Sequence, residues 1–354
     1  MSGVARSSLL VRVLLVALAL ILAGCGGGGG KEEEKGSGET TGGEPKAAGG
    51  GSSGQIAIEG SSTVLPITQA AAEGFNRQNP DVRITVGGSG TGDGFEAFCN
   101  GDTQISNASR PIEDDEVQAC EENVIEFVEI PVALDGLSVV VNPQNDFAND
   151  ITLDELATMW RPDAEGQVTQ WNQVRSEWPE ERFNLYGPGT ESGTFDFFTE
   201  RVNGEEGASR SDYQASEDDN VLVQGVSGDP NALGYFGFGY FEQNQQRLKA
   251  LTVDSVAPSR ETVQSSEYPL SRPLFIYVST QALKENPSVQ EFVDFYLQQG
   301  NLESFVEQAQ YVPLSDAGAQ EARERFQNRA TGTATEDTIG AGVKSNGKEE
   351  EKTK

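Results

Sequence analysis

The chain has 354 residues, of which 36% are hydrophobic and 23% charged, and its 56 acids against 25 bases give a net charge of −31. That balance disfavours nucleic acid as a partner, because its phosphates must be met by clustered Lys and Arg. Histidine is absent, which excludes a Ser-His-Asp triad, a Cys-His dyad and His-ligated zinc together.

The N-terminal segment has the form of an export signal. Arg6 and Arg12 bracket a short basic start, an apolar run continues from Val13 to Ala23, and the run ends in Leu22-Ala23-Gly24-Cys25. Those four residues match a bacterial lipobox, so 1–24 are expected to be a signal peptide and Cys25 the lipidated first residue. A transmembrane anchor is the alternative. The charge-free stretch, Val13 to Gly30 at most, ends in glycines and is short of the ~20 apolar residues that span a bilayer. Residues 25–54 are mostly Gly, Ser, Glu and Lys, too poor in apolar side chains to offset chain entropy, and are expected to be a disordered tether. Residues 331–354 share that character and are expected to be a disordered tail. The folded core is then 55–330, and it carries nearly all of the acid excess.

Within the core, Gln55–Ile58 reads as a strand and Leu65–Gln78 as a helix with Ile67, Ala70, Ala71, Gly74 and Phe75 on one face. Asn79-Pro80 stops that helix. Val82–Val86 is a second strand, Gly94–Asn100 a short helix, Ile105–Ala108 a third strand and Glu113–Glu122 another helix. This β-α-β-α order implies a parallel sheet covered by helices. Cys99 and Cys120 are an even pair in an exported chain and are expected to form a disulfide, worth about 3 kcal/mol for a loop of roughly 20 residues. Two buried free thiols are the alternative.

Ile125 to Val141 is long and apolar, broken at Pro131 and Asp135-Gly136, and reads as a crossing into a second unit. Helices near Thr152–Trp160 and Thr194–Arg201 and strands at Phe183–Tyr186 and Leu233–Phe238 follow. Pro273–Ser279 would carry the chain back, and helices at Pro287–Gln299 and Ala317–Gln327 would rejoin the first unit. The expected architecture is α/β, a two-lobe clam-shell with two hinge crossings. Lobe I comprises 55–134 and 273–330, lobe II comprises 135–272, and the cleft between them is a natural ligand site.

Four segments in this frame are small, hydroxyl-rich and placed between a strand and a helix or turn. They are Gly60-Ser61-Ser62-Thr63, Gly88-Ser89-Gly90-Thr91-Gly92, Ala108-Ser109-Arg110-Pro111 and Gly189-Thr190-Glu191-Ser192-Gly193-Thr194. A helix N-terminus offers unpaired N–H groups and partial positive charge, so it holds an anion without needing a lysine. Each segment alone has an ordinary explanation: an N-cap, a glycine turn, or an extended residue before proline. Their conjunction on both sides of one cleft favours a shared oxyanion.

Together with Leu134-Asp135-Gly136 and Glu191-Ser192-Gly193-Thr194-Phe195, these segments resemble the PstS family, the phosphate-binding proteins of ABC phosphate transporters, over most of residues 55 to 310. The resemblance implies a type II periplasmic-binding-protein fold and capture of inorganic phosphate between the lobes. It implies contacts from Ser62, Thr63 and Val64 in the first loop, Ser89 in the second, and Ser192, Gly193 and Thr194 at a second-lobe helix start. Two positions depart from the family's best-known pattern: Arg110 stands where that pattern has an aspartate, and Pro188 where it has an arginine. Arg110 is accordingly the expected bidentate cation, since a planar fork matches two phosphate oxygens. Asp135 and Glu191 are the expected acceptors for the phosphate proton. A buried carboxylate that takes a P–OH hydrogen bond repels sulfate, which has no proton to give.

The expected partners are phosphate, an ABC permease with its ATPase, and the membrane through the lipid anchor, with no nucleic acid, no cofactor and no metal. The acid runs Glu113–Glu116 and Glu217–Asp219 lack the alternating acids and glycine of an EF-hand loop. Alternatives are a binder of sulfate, molybdate or another oxyanion, and a lipid-anchored phosphate sensor or surface protein without a transport role. A serine hydrolase using Ser192 is disfavoured, because the segment is not Gly-x-Ser-x-Gly and no histidine base exists.

Overall fold

A computed structural model describes residues 54–334. The expected signal peptide, Cys25, all but the last residue of the tether, and 335–354 lie outside the described residues. Among the described residues no helix is long and apolar enough to cross a membrane.

The first lobe alternates as its periodicity requires: β1 (Gln55–Gly60), α1 (Leu65–Asn76), β2 (Arg83–Val86), α2 (Thr91–Cys99), β3 (Ile105–Ala108) and α3 (Asp114–Glu122). Strands β2, β1 and β3 are parallel neighbours. The inner face of α1 buries Ile67, Ala71, Gly74 and Phe75, while Ala70 is half-buried. Each large apolar side chain covered in this way contributes about 1.5–3 kcal/mol. Cys99 and Cys120 are joined as a disulfide, which ties α2 to α3.

Strand β4 (Phe127–Val141) follows, 15 residues long and buried throughout. The second lobe contains β5 (Asp150–Ile151), α4 (Leu153–Trp160), β6 (Asn184–Pro188), α5 (Gly193–Asn203), β7 (Gln214–Ser216) and α6 (Asp219–Gly228). It continues with β8 (Ala232–Gly237), α7 (Phe238–Gln243), β9 (Lys249–Ala250), β10 (Thr252–Val253) and α8 (Arg260–Gln264). Strand β11 (Ser271–Ser279) returns, and α9 (Thr280–Glu285), α10 (Pro287–Leu297), α11 (Gln299–Gln308) and α12 (Asp316–Gln327) complete the chain.

One sheet, ordered β2-β1-β3-β11-β4-β8-β6-β7 with β9 also on β4, runs through both lobes. Strand β4 pairs antiparallel with β11 as far as Gly136 and then with β8 from Leu137. Pro131, which has no N–H to donate, sits where the β4–β11 register shifts, the kind of irregularity that tolerates proline inside a sheet. The hydrophobic clusters change over between Ala133 and Leu134 on β4 and between Leu270 and Leu274 on the return. A third thread crosses at the same level, because Leu134 and Val312 exchange backbone hydrogen bonds of 2.9 Å each way.

Two of the departures from the boundaries read in the sequence have a clear physical cause. Helix α2 starts at Thr91, inside the glycine-rich segment expected to be a turn, because Gly94 lets the helix press against Gly60, where any Cβ would collide. Residues 331–334, assigned to the tail, are held against β4. The Gly332 amide donates to Phe127 O (3.0 Å) and the Ala334 amide to the buried Glu129 carboxylate (2.7 Å).

Candidate functional site

The three first-lobe loops leave the carboxyl ends of the parallel strands β1, β2 and β3, and the second-lobe loop leaves the end of β6. Open α/β sheets place ligands at that edge. The loops enclose a cavity of about 230 Å³. This is smaller than the ~300–1,000 Å³ of clefts for drug-sized ligands, a size suited to a small ion.

Ser62, Thr63, Ser89, Arg110 and Gly193 all line this cavity. Helix α2, whose first turn lines the cavity, has no side-chain cap, unlike α4, α6, α8, α9, α10 and α12, whereas the first-turn amides of α1 are taken by Ser61 O and Val64 O, and Pro66 has none. Uncapped helix starts keep N–H groups for another acceptor. The second and third loops are tied together by the Ser109 amide donating to Thr91 Oγ1 at 3.2 Å. Gly193 lies so close to Thr63 across the cleft that a Cβ there would strike Thr63 Oγ1. Glycine is thus what lets the two lobes touch at this point.

The other expected residues sit differently. Val64 is fully buried as the N-cap residue of α1. Ser192 caps α5 by accepting from the Thr194 amide at 3.2 Å. Glu191 is exposed and absent from the cavity wall, with its amide directed at Glu217 Oε1 (3.5 Å). Asp135 is 1% exposed and lies behind the wall. Burial raises its pKa, and the charge and hydrogen bond of Arg272 oppose that rise.

Arg272 is the residue that the sequence reading missed. In the antiparallel register of β4 and β11 it stands opposite Asp135. Its Nε donates to Asp135 Oδ2 (3.2 Å), and its Nη2 donates to Thr63 Oγ1 (3.0 Å) in the first lobe and to Gly193 O (2.9 Å) in the second. The guanidinium lies 4.2 Å from the centre of the Phe197 ring, a stacking that favours arginine over lysine. Nη1 makes no hydrogen bond to any described residue, and the side chain lines the cavity. A signal existed: the expected second lobe, 135–272, begins with an acid, Asp135, and ends with a base, Arg272.

Arg110 also lines the cavity, but its fork is turned onto Glu116, with Nη1 and Nη2 each 2.8 Å from a carboxylate oxygen. Its Nε is 3.3 Å from Glu113. The hydrogen bond to Glu116 holds the Arg110 pKa above its ordinary value. Four carboxylates complete the wall: Asp93, Asp196, Glu200 and Glu206. All but Asp196 are exposed. Burial, then repulsion from Glu206, pushes Asp196 up to about 6.

A family model described as a PBP superfamily domain matches residues 45–299. Protein SphX of Synechocystis sp. is 49% identical over 287 residues, 80% of this chain and 85% of that protein. The phosphate-binding protein PstS of Staphylococcus saprophyticus is 38% identical over 252 residues, 69% of this chain and 76% of that protein. A crystal structure of a possible phosphate binding protein from Planctomyces limnophilus superimposes with a TM-score of 0.74 at 44% identity, covering 78% of this chain and 98% of that one. The chain therefore has the two-lobe periplasmic-binding-protein fold and belongs to the PstS family of phosphate-binding proteins, a family of substrate-binding proteins and not of enzymes.

Proposed function

We propose that this protein captures inorganic phosphate between its lobes outside the cytoplasm and delivers it to an ABC permease and ATPase, held at the membrane by a lipid on Cys25. The observation that carries the reading is Arg272. It is a cation hydrogen-bonded to both lobes, with one guanidinium nitrogen that has no hydrogen bond to any described residue, at a cavity rimmed by hydroxyls and the uncapped start of α2. The donors proposed for the ligand are Arg272, the hydroxyls of Ser62, Thr63 and Ser89, and backbone N–H groups at the starts of α2 and α5. Arg110 can join them only by leaving Glu116. Closure of the cleft around the anion would remove water and strengthen each of these interactions.

Calorimetry with phosphate, sulfate and molybdate tests the ligand. Tight phosphate binding without competition from sulfate or molybdate is expected, and preference for either of those would transfer the site to another oxyanion. For the anchor, labelling with a palmitate analogue should mark the protein and should be lost in Cys25→Ser. A delivery role predicts that deleting the adjoining permease abolishes uptake while purified protein still binds. Uptake that continues without the permease would favour a sensor or surface binder.

A further inference from the structure

We infer that Asp196 is the carboxylate that accepts the proton-bearing oxygen of phosphate and thereby sets selectivity against anions that carry no proton. The inference rests on the phosphate reading and adds the residue that enforces it.

Three observations point to Asp196. First, Gly193, Asp196 and Glu200 follow one another at helical spacing on α5 and all face the cavity, so Asp196 lies one turn in from the helix start that touches Thr63. Second, it is the wall carboxylate that is not exposed; Asp93, Glu200 and Glu206 are all solvated. A carboxylate in water is screened and discriminates little, whereas a partly dehydrated one facing a ligand imposes its sign. Third, its carboxylate takes no hydrogen bond from any described residue, although it lies within the field of Arg272. An acceptor without a donor, beside the cation expected to hold the anion, is matched by a P–OH group. Against sulfate the same oxygen meets only other acceptors, the kind of unpaired, like-charged contact that excludes a competitor.

The charged and titratable neighbours of Asp196 are Arg272 on β11, Glu200 on α5, Glu206 on the loop after α5, and Tyr235 on β8. The two glutamates and the burial raise its pKa and Arg272 lowers it, leaving it about 6. Above that pH it is ionised and able to accept. Asp135, the other buried acid nearby, is committed through one oxygen to Arg272 and is not on the wall. It acts as the positioning residue for that guanidinium.

The test is calorimetry of phosphate and sulfate on the wild type, Asp196→Asn and Glu191→Gln, near neutral pH and then stepwise to pH about 5. The phosphate-over-sulfate preference of Asp196→Asn is expected to drop by about 100-fold or more, while Glu191→Gln keeps the wild-type preference. Wild-type phosphate affinity should also fall through pH about 6 more steeply than that of Asp196→Asn, since the titration of phosphate itself is common to both. The wild-type pH profile gives a readout even if the variant folds poorly. A wild type selective for phosphate, paired with an equally selective Asp196→Asn and parallel pH profiles, overturns the assignment alone. A wild type that takes sulfate as readily as phosphate overturns the phosphate reading and this assignment with it.

Discussion

Two arginines face the same cavity and are held in opposite ways. Arg110 is committed: Glu116 takes both terminal nitrogens, Glu113 lies against Nε, and all three partners sit within seven residues of one another in the first lobe. Arg272 is shared: it reaches Asp135, 137 positions away, Thr63, 209 away, and Gly193, 79 away, while Nη1 has no hydrogen bond to any described residue. A ligand claiming Arg110 has to displace a carboxylate in bidentate contact, whereas one claiming Arg272 adds to contacts already made. The difference teaches that a cation's value to an anion site depends on the donors left over after the protein has been served.

The largest effect is expected at Arg272. Its removal strands Asp135 in a buried position, which costs about 3–5 kcal/mol of stability, and deletes charge-assisted bonds worth about 2–5 kcal/mol of phosphate affinity. Urea unfolding and calorimetry on Arg272→Ala measure the two losses. The double variant Arg272→Ala with Asp135→Asn should regain much of the stability and none of the binding. A stable, phosphate-binding Arg272→Ala would end the comparison. Next comes the disulfide beneath Arg110's partner helix. Cys99→Ser with Cys120→Ser should lower stability by about 3 kcal/mol and leave phosphate affinity close to wild type. Arg110→Ala should then cost only about tenfold in affinity, about 1.4 kcal/mol, because the fork starts out satisfied elsewhere. A loss as severe as at Arg272 would show that ligand binding frees Arg110 completely. Smallest of all, Glu116→Gln should tighten phosphate binding by about 0.5–1 kcal/mol by loosening the grip on Arg110.

The sequence made the frame legible because its signals are local. Periodicity located α1 and β3, and the long apolar runs located β4 and β11 to within two residues at each end. Four Ser/Thr/Gly loops were visible because helix starts announce themselves in composition. What stayed hidden depends on pairing. The partnership of Arg272 with Asp135 follows from strand register, which no window of sequence contains. Arg110 stands out in sequence as a planar fork that suits an anion, but Glu113 and Glu116 offer that fork nearer partners. Glu113 at the N-cap of α3 and Glu116 in its first turn, three and six residues after Arg110, were legible as local ion-pair partners. Helix α6 is hidden in sequence for a similar reason. Asp218 reads as one of an acid run, yet it caps that helix by accepting from the Asn220 amide at 2.9 Å. Asp196 is inconspicuous in sequence because the stripe it shares with Gly193 and Glu200 becomes a site only where the first-lobe loops face it across the cavity.

The exposed acids Asp93, Glu200 and Glu206 on the rim, on a chain of net charge −31, have a kinetic consequence. An approaching anion climbs a repulsive potential before it meets the first helix start. Attractive funnels slow down when ions are added; this entrance should do the reverse, with association quickening as screening shortens the reach of the rim. Stopped-flow encounter rates at rising sodium chloride would read that slope directly, and neutralising Glu200 and Glu206 together should flatten it.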